Sequence, residues 1–241
     1  VTKKLYFISG LPRSGSTLLS AILNQNPNFY SGPSSPVVKI METIATTIND
    51  LDLFKAFPKV TQVESYIGDF IKYYYSDITQ EVIFDKNRVW TGKVTDILHY
   101  FKIKPKIICM VRDISEIYMS IKNTKINIDS NLLLTKDDIL LQDPYDNLKI
   151  GFNNYKDCIH IVEYNNLINK PKETLQKIYK FLNENYYEHT FNNIKSTYKE
   201  LDKEAYGDAN LHSLRSTLSK STTTPTQDII DKCQGMEFWR N

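Results

Sequence analysis

Short, nearly continuous apolar runs alternate along this chain with longer stretches in which apolar positions recur every three or four residues. The runs are Leu5–Ile8, the centre of Glu81–Asp85, Lys106–Val111 and residues 159–163. Runs of this kind predict parallel strands covered on both faces. The longer spacing predicts helices at about 15–25, 37–49, 60–77, 92–102, from Asp113 to about 122, 144–157 and 171–184. Asp113 is placed to cap its helix, and Pro171 suits a first helical turn. Strands separated by helices in this rhythm predict an α/β fold of three layers, a parallel sheet flanked by helices with right-handed crossovers. Ligands of such sheets sit at the carboxyl ends of the strands. Residues 124–143 are polar and leucine-spotted without a period, and 216–226 are rich in Ser and Thr, as in a lid.

Composition narrows the class. The 241 residues suit a single domain spanning 1–241, and 41% apolar residues can fill its core. Thirty basic against 28 acidic residues leave a net charge of +2, which gives no case for nucleic acid. The chain has no 18-residue apolar run to cross a membrane. Cys109, Cys158 and Cys233 are odd in number and widely spaced, so they read as buried reduced thiols and set the expectation of a cytoplasmic protein. No Cys/His cluster has metal-ligand spacing, so no metal is expected. Arginine is scarce, standing only at positions 13, 88, 112, 215 and 240. Because arginine is the side chain for bidentate phosphate contacts, each of these positions matters.

The first strand runs into Ser9-Gly10-Leu11-Pro12-Arg13-Ser14-Gly15-Ser16-Thr17, and an amphipathic stretch opens directly behind it. A helix start carries unpaired N–H groups and partial positive charge, so an anion settles there. Gly10 and Gly15 let the backbone approach a phosphate, and Ser14, Ser16 and Thr17 add hydroxyl donors. The glycines have the spacing of G-x-x-x-x-G-K-[ST], but Ser16 stands where that motif has its lysine, and the one cation is Arg13. Further on, Arg112 closes the strand 106–111, and Ser120 lies two helical turns beyond it. Together they can clamp a second phosphate.

Leu-Pro-Arg-Ser-Gly-Ser-Thr-Leu resembles the 5′-phosphosulfate loop of sulfotransferases that use 3′-phosphoadenosine-5′-phosphosulfate (PAPS). Arg112 and Ser120 resemble that family's 3′-phosphate motif. Val162-Glu163-Tyr164-Asn165-Asn166-Leu167 followed by Pro171 is similar to its Tyr-Glu-Asp-Leu…Pro segment, which implies that Tyr164 packs near the adenine. Asn210–Arg215 resembles the late segment that folds over the cofactor, with Ser213 and Arg215 as contacts. Phe84-Asp85-Lys86-Asn87-Arg88 looks like a segment of the tyrosylprotein branch whose lysine reaches the transferring group, except that Arg88 replaces a proline. The likeness is nearest to the tyrosylprotein and carbohydrate branches. It implies a P-loop-NTPase-like sulfotransferase fold and transfer of a sulfuryl group from PAPS to a hydroxyl or amine, leaving adenosine 3′,5′-bisphosphate. The acceptor would be a small molecule, a carbohydrate or a peptide tyrosine, lined by segments 37–77, 124–143 and 200–226.

Such a transfer needs positioning, charge neutralisation and a general base. Arg13 and Lys86 suit neutralisation. The tyrosylprotein branch draws its base from a glutamate after the first helix, and here that stretch is Ser31-Gly32-Pro33-Ser34-Ser35-Pro36, without a carboxylate. Glu42 is the nearest substitute, His212 the alternative and Asp85 the third, with a residue of 124–143 held in reserve. Two other classes fit part of the pattern. A P-loop kinase or NTPase would require the missing loop lysine and an Mg²⁺-holding aspartate, and a non-catalytic nucleotide-binding module would need no base.

Overall fold

The computed structural model describes residues 3–50, 52–56, 59–124, 140–196, 198, 212–219 and 224–240. Five strands form one sheet: β1 (Lys4–Gly10), β2 (Phe29–Ser34), β3 (Val82–Lys86), β4 (Ile107–Val111) and β5 (Ile159–Glu163). Their order is β2-β3-β1-β4-β5, and every pairing is parallel. The helices in chain order are α1 (Ser16–Leu23), α2 (Val37–Asp50), α3 (Asp52–Ala56), α4 (Val60–Tyr74), α5 (Val94–Asp96), α6 (Ile114–Lys122), α7 (Gln142–Asn154), α8 (Tyr164–Asn169), α9 (Pro171–Leu182) and α10 (Gln227–Cys233). The predicted layered parallel sheet is therefore the fold.

Strand side chains alternate between faces, and both faces are covered. Phe7, Ile83, Ile107, Cys109 and Val111 meet α2, α4, α6, α7 and α10 on one side. Tyr6, Ile8, Phe84, Ile108, Met110 and Val162 meet α1 and α9 on the other. Each fully buried side chain of this size, such as Phe7 or Leu19, contributes roughly 1.5–3 kcal/mol. All three cysteines are buried and unbridged. Among the described residues, no helix is long and apolar enough to cross a membrane.

Three elements depart from the pattern's prediction. Phe29–Ser34 pairs as a strand although only two of its residues are large and apolar. It is the sheet edge, where Pro33 costs no ladder bond, and its register shifts between Ser31 and Ser34. The helix expected at 92–102 is instead a 3₁₀ turn at Trp90–Gly92, then α5, then a π-helical turn at Ile97–Phe101 that stops at Lys102 with φ 56°. The helix expected to reach residue 77 ends at Tyr74, because Tyr75 turns inward to donate to Asp85 at 2.9 Å. Of the consecutive Tyr73, Tyr74 and Tyr75, the last is core, whereas Tyr73 is 77% exposed.

The far end of the chain returns to the sheet. Tyr145 Oη donates to the Met236 carbonyl at 2.7 Å, and Glu237 accepts from the Ile114 N–H at 2.9 Å. The Arg240 guanidinium grips Glu163 at 2.8 and 2.9 Å and reaches Asp113 at 3.3 Å. Trp239 Nε1 donates to the same glutamate at 3.0 Å. This clasp ties the carboxyl ends of β4 and β5 together.

Candidate active site

The connection leaving β1 runs to one side of the sheet and the one leaving β4 to the other, so a crevice opens between their carboxyl ends. Gly10 lies there with φ 130°, its N-terminal neighbour paired to Cys109 and its own Cα opposite Met110. A Cβ on Gly10 would come 2.0 Å from the Met110 carbonyl oxygen, so only glycine lets the loop leave the strand here. Gly15 (φ 92°) ends the loop, and no side chain caps α1 behind it. Arg13 between them is also left-handed, at φ 57°. The loop thus presents the first N–H groups of α1 to the crevice.

A cavity of about 530 Å³ occupies this crevice, a size suited to a small-molecule ligand. Gly10, Arg13, Gly15, Ser16 and Thr17 line it, as do Lys86, Arg112, Ser120, Tyr164, His212, Ser213 and Arg215. Residues distant in sequence are therefore brought together. Arg13 Nε donates to Ser120 Oγ at 3.1 Å, so the loop and the Arg112–Ser120 helix touch. Arg112 is buried; its Nε donates to Glu116 at 2.8 Å, its Nη1 to the Arg13 carbonyl at 3.3 Å, and its guanidinium lies 4.5 Å from the centre of the Tyr164 ring.

Three predicted residues are placed elsewhere. Ser14 is buried and donates to the Leu11 carbonyl at 2.6 Å, so its hydroxyl braces the loop from inside and does not line the cavity. Glu42 lies in a separate shallow groove with Lys39, Lys93 and Asp96, and pairs with Lys93 at 2.7 Å. The physical reason is α2, which carries Glu42 away from the strand ends. Asp85 is fully buried on the sheet face of Phe7, where it accepts from Ser35, Tyr75 and Trp90. Burial pushes its carboxyl above the ordinary range, against the pull of those three hydrogen bonds. Neither Glu42 nor Asp85 reaches the cavity. The stretches 125–139, 197, 199–211 and 220–223, which include most of two expected acceptor segments, lie outside the described residues.

Other residues emerge only from the structure. Ser9 Oγ donates to the Arg88 carbonyl at 2.8 Å and accepts from the Thr91 N–H at 3.3 Å, which pins the turn after β3. Asn87 Nδ2 holds the Ser35 carbonyl at 2.9 Å. Asp143, at the start of α7, also lines the cavity. Two signals had been present. Arg88 was one of few arginines, and Asp143 belonged to the aperiodic segment.

Charge is concentrated here. Arg13, Arg88, Arg112 and Arg215 line the cavity, leaving only Arg240 outside, and Lys86 is its one lysine among the described residues. The sole carboxylate lining it, among the described residues, is Asp143. On a chain with net charge of +2, this is a concentration of positive charge, the electrostatic setting for an anion.

Solved structures with a similar fold include the sulfotransferase domain of the Synechococcus PCC 7002 olefin synthase, with a TM-score of 0.59 at 20% identity over 95% of this chain and 93% of that one. A sulfotransferase from Alicyclobacillus acidocaldarius gives 0.52 at 14% identity, over 77% of this chain and 83% of the other. The sulfotransferase domain from the curacin biosynthetic pathway gives 0.50 at 18%, covering 78% and 76%. At these identities the likeness speaks for the fold. No curated protein matches the sequence. A family model described as the sulfotransferase family matches residues 6–188, a span that takes in most of β1, the loop, β3, Arg112–Ser120 and Tyr164. The chain belongs to the sulfotransferase family.

Proposed function

We propose that the chain transfers a sulfuryl group from PAPS to a hydroxyl acceptor. The carrying observation is the meeting of two anion-binding motifs in one arginine-lined cavity, with Arg13 hydrogen-bonded to Ser120. The donor fits what is present. The loop between Gly10 and Gly15 lines the cavity together with Ser16 and Thr17 at the start of α1, where a 5′-phosphate would meet the first N–H groups of the helix. Arg112 and Ser120 stand beside it for a 3′-phosphate. PAPS supplies an activated sulfur whose leaving group is a phosphate oxygen.

The chain's own residues then have distinct tasks. Backbone N–H groups at Ser16 and Thr17 hold the 5′-phosphate. Lys86, buried at the end of β3, and Arg13 neutralise charge that develops on the transferring and leaving oxygens. Tyr164 keeps Arg112 in place by its cation–π contact and flanks the adenine side. Arg215 and Ser213 border the same cavity from the late segment. A small-molecule hydroxyl is the favoured acceptor, since the glutamate segment of the tyrosylprotein branch is replaced here by the edge strand and Ser34.

Calorimetric titration tests the reading. Adenosine 3′,5′-bisphosphate should bind at least tenfold tighter than AMP without Mg²⁺, because charge-assisted contacts to one phosphate are worth about 1.5–3 kcal/mol. Arg112→Ala should erase the preference. Equal affinity for the two nucleotides in the wild type would remove the second phosphate site and the reading with it.

A further inference from the structure

We propose that Asp143 is the general base, the group that takes the proton from the acceptor hydroxyl; this rests on the sulfuryl-transfer reading above. Among the described residues, Asp143 is the one carboxylate lining the cavity. The other acidic candidates among the described residues are committed elsewhere. Glu42 pairs with Lys93 in its own groove, Asp85 is enclosed in the core among Ser35, Tyr75 and Trp90, and Glu116 is held by Arg112.

Asp143 is also positioned. Asn147 Nδ2 donates to its Oδ1 at 2.9 Å and to its carbonyl at 2.8 Å, while Oδ2 accepts no hydrogen bond among the described residues. Asn147 itself is buried against Gly92, where a Cβ would come 2.0 Å from Asn147 Oδ1. One turn along α7, Gly151 lets the helix settle on the Thr91 carbonyl, which a Cβ would approach to 2.3 Å. The Thr91 N–H donates to Ser9 Oγ, and Ser9 directly precedes Gly10 of the phosphate loop. A continuous frame therefore runs from the loop through Ser9, Thr91, Gly92 and Asn147 to Asp143. It fixes the carboxylate relative to the phosphate loop, as a general base requires.

In the step, Asp143 Oδ2 accepts the proton as the acceptor O–H bond breaks and that oxygen's electron pair bonds the sulfur. The sulfur–oxygen bond to the phosphate breaks, and its electron pair leaves on the phosphate oxygen. The products are the sulfate ester and adenosine 3′,5′-bisphosphate, and Asp143 returns its proton to water.

Two measurements test this on the wild type, Asp143→Asn, Asp143→Glu and His212→Asn. The first is titration with adenosine 3′,5′-bisphosphate near pH 5 in two buffers of different ionisation enthalpy. An anion bound beside a carboxylate draws a proton onto it, so Asp143→Asn should show less net proton uptake than the wild type and bind the bisphosphate no more weakly. The second is release of labelled sulfate from PAPS with water as acceptor. Asp143→Asn should lower it about 10²–10³-fold and Asp143→Glu should recover part. Uptake unchanged in Asp143→Asn, or turnover within threefold of wild type, overturns the proposal. So does a pH–rate limb near 6.5 that disappears in His212→Asn, because an imidazole rather than a carboxylate titrates there. A wild type that fails to bind the bisphosphate sinks the sulfuryl-transfer reading itself, a result distinct from all of these.

Discussion

Asp85 and Lys86 adjoin in sequence and serve opposite faces of the sheet. Pairing of Phe7 with Asp85 and of Ile8 with Lys86 sends the carboxylate into the Trp90 side of the core and the ammonium to the cavity. Replacing Asp85 by Ala strands the Ser35, Tyr75 and Trp90 donors, each at roughly 1–3 kcal/mol. Denaturant unfolding of Asp85→Ala should therefore show a loss above about 3 kcal/mol, while nucleotide affinity of the folded fraction stays near wild type. Lys86→Ala should do the reverse, holding nucleotide affinity within about tenfold and lowering turnover on the order of 10²–10³-fold. Turnover unchanged in Lys86→Ala would remove the lysine from the chemistry. At this scale the sequence made the loop legible, because glycine spacing and the lone Arg13 are local signals. It could not separate Glu42 from Asp143, since which carboxylate reaches a cavity depends on how a helix docks.

Elements explain the same division. Strands β1 and β4 were readable because burial on both faces at the centre of the sheet demands apolar runs, and the edge strand β5 still showed Ile159, Ile161 and Val162, whereas the other edge strand, β2, tolerates Gly32 and Pro33. The docking of α9 against α1 is built on contacts that no pattern announces. Tyr179 Oη on α9 accepts from Asn26 Nδ2 at 3.1 Å, just after α1, and meets His189 Nε2 at 3.0 Å. Burial pushes the His189 imidazole down to about 4, and burial also lowers His160 on β5. The folded protein thus binds fewer protons than the unfolded chain between about pH 6.5 and 4. Stability is present above pH 6.5 and is lost as pH falls through that window, by an amount of order 2–3 kcal/mol for His189. Urea unfolding at stepped pH should show this slope, and His189→Gln should flatten it. A slope identical in both proteins would place the acid sensitivity elsewhere.

Over the whole molecule, scarce arginines divide between two jobs. Four line the cavity and the fifth, Arg240, closes the clasp on Asp113 and Glu163. These carboxylates directly adjoin Arg112 and Tyr164, whose side chains face each other. Hydrogen bonding to Glu163 raises the Arg240 pKa; burial raises that of Asp113, but hydrogen bonds from Ser115 and Arg240 bring it below the usual carboxylate range. Arg240→Ala should weaken adenosine 3′,5′-bisphosphate binding about three- to tenfold, and Arg240→Lys should recover part of it, since lysine restores the charge without the fork. Unchanged affinity in Arg240→Ala would make the clasp purely structural. The clasp also has a thermodynamic corollary. If docking of residues 236–240 favours the nucleotide, the nucleotide must favour their docking by the same factor. Ligand should then slow amide exchange across residues 236–240, so that this segment reports occupancy of a cavity opened by β1.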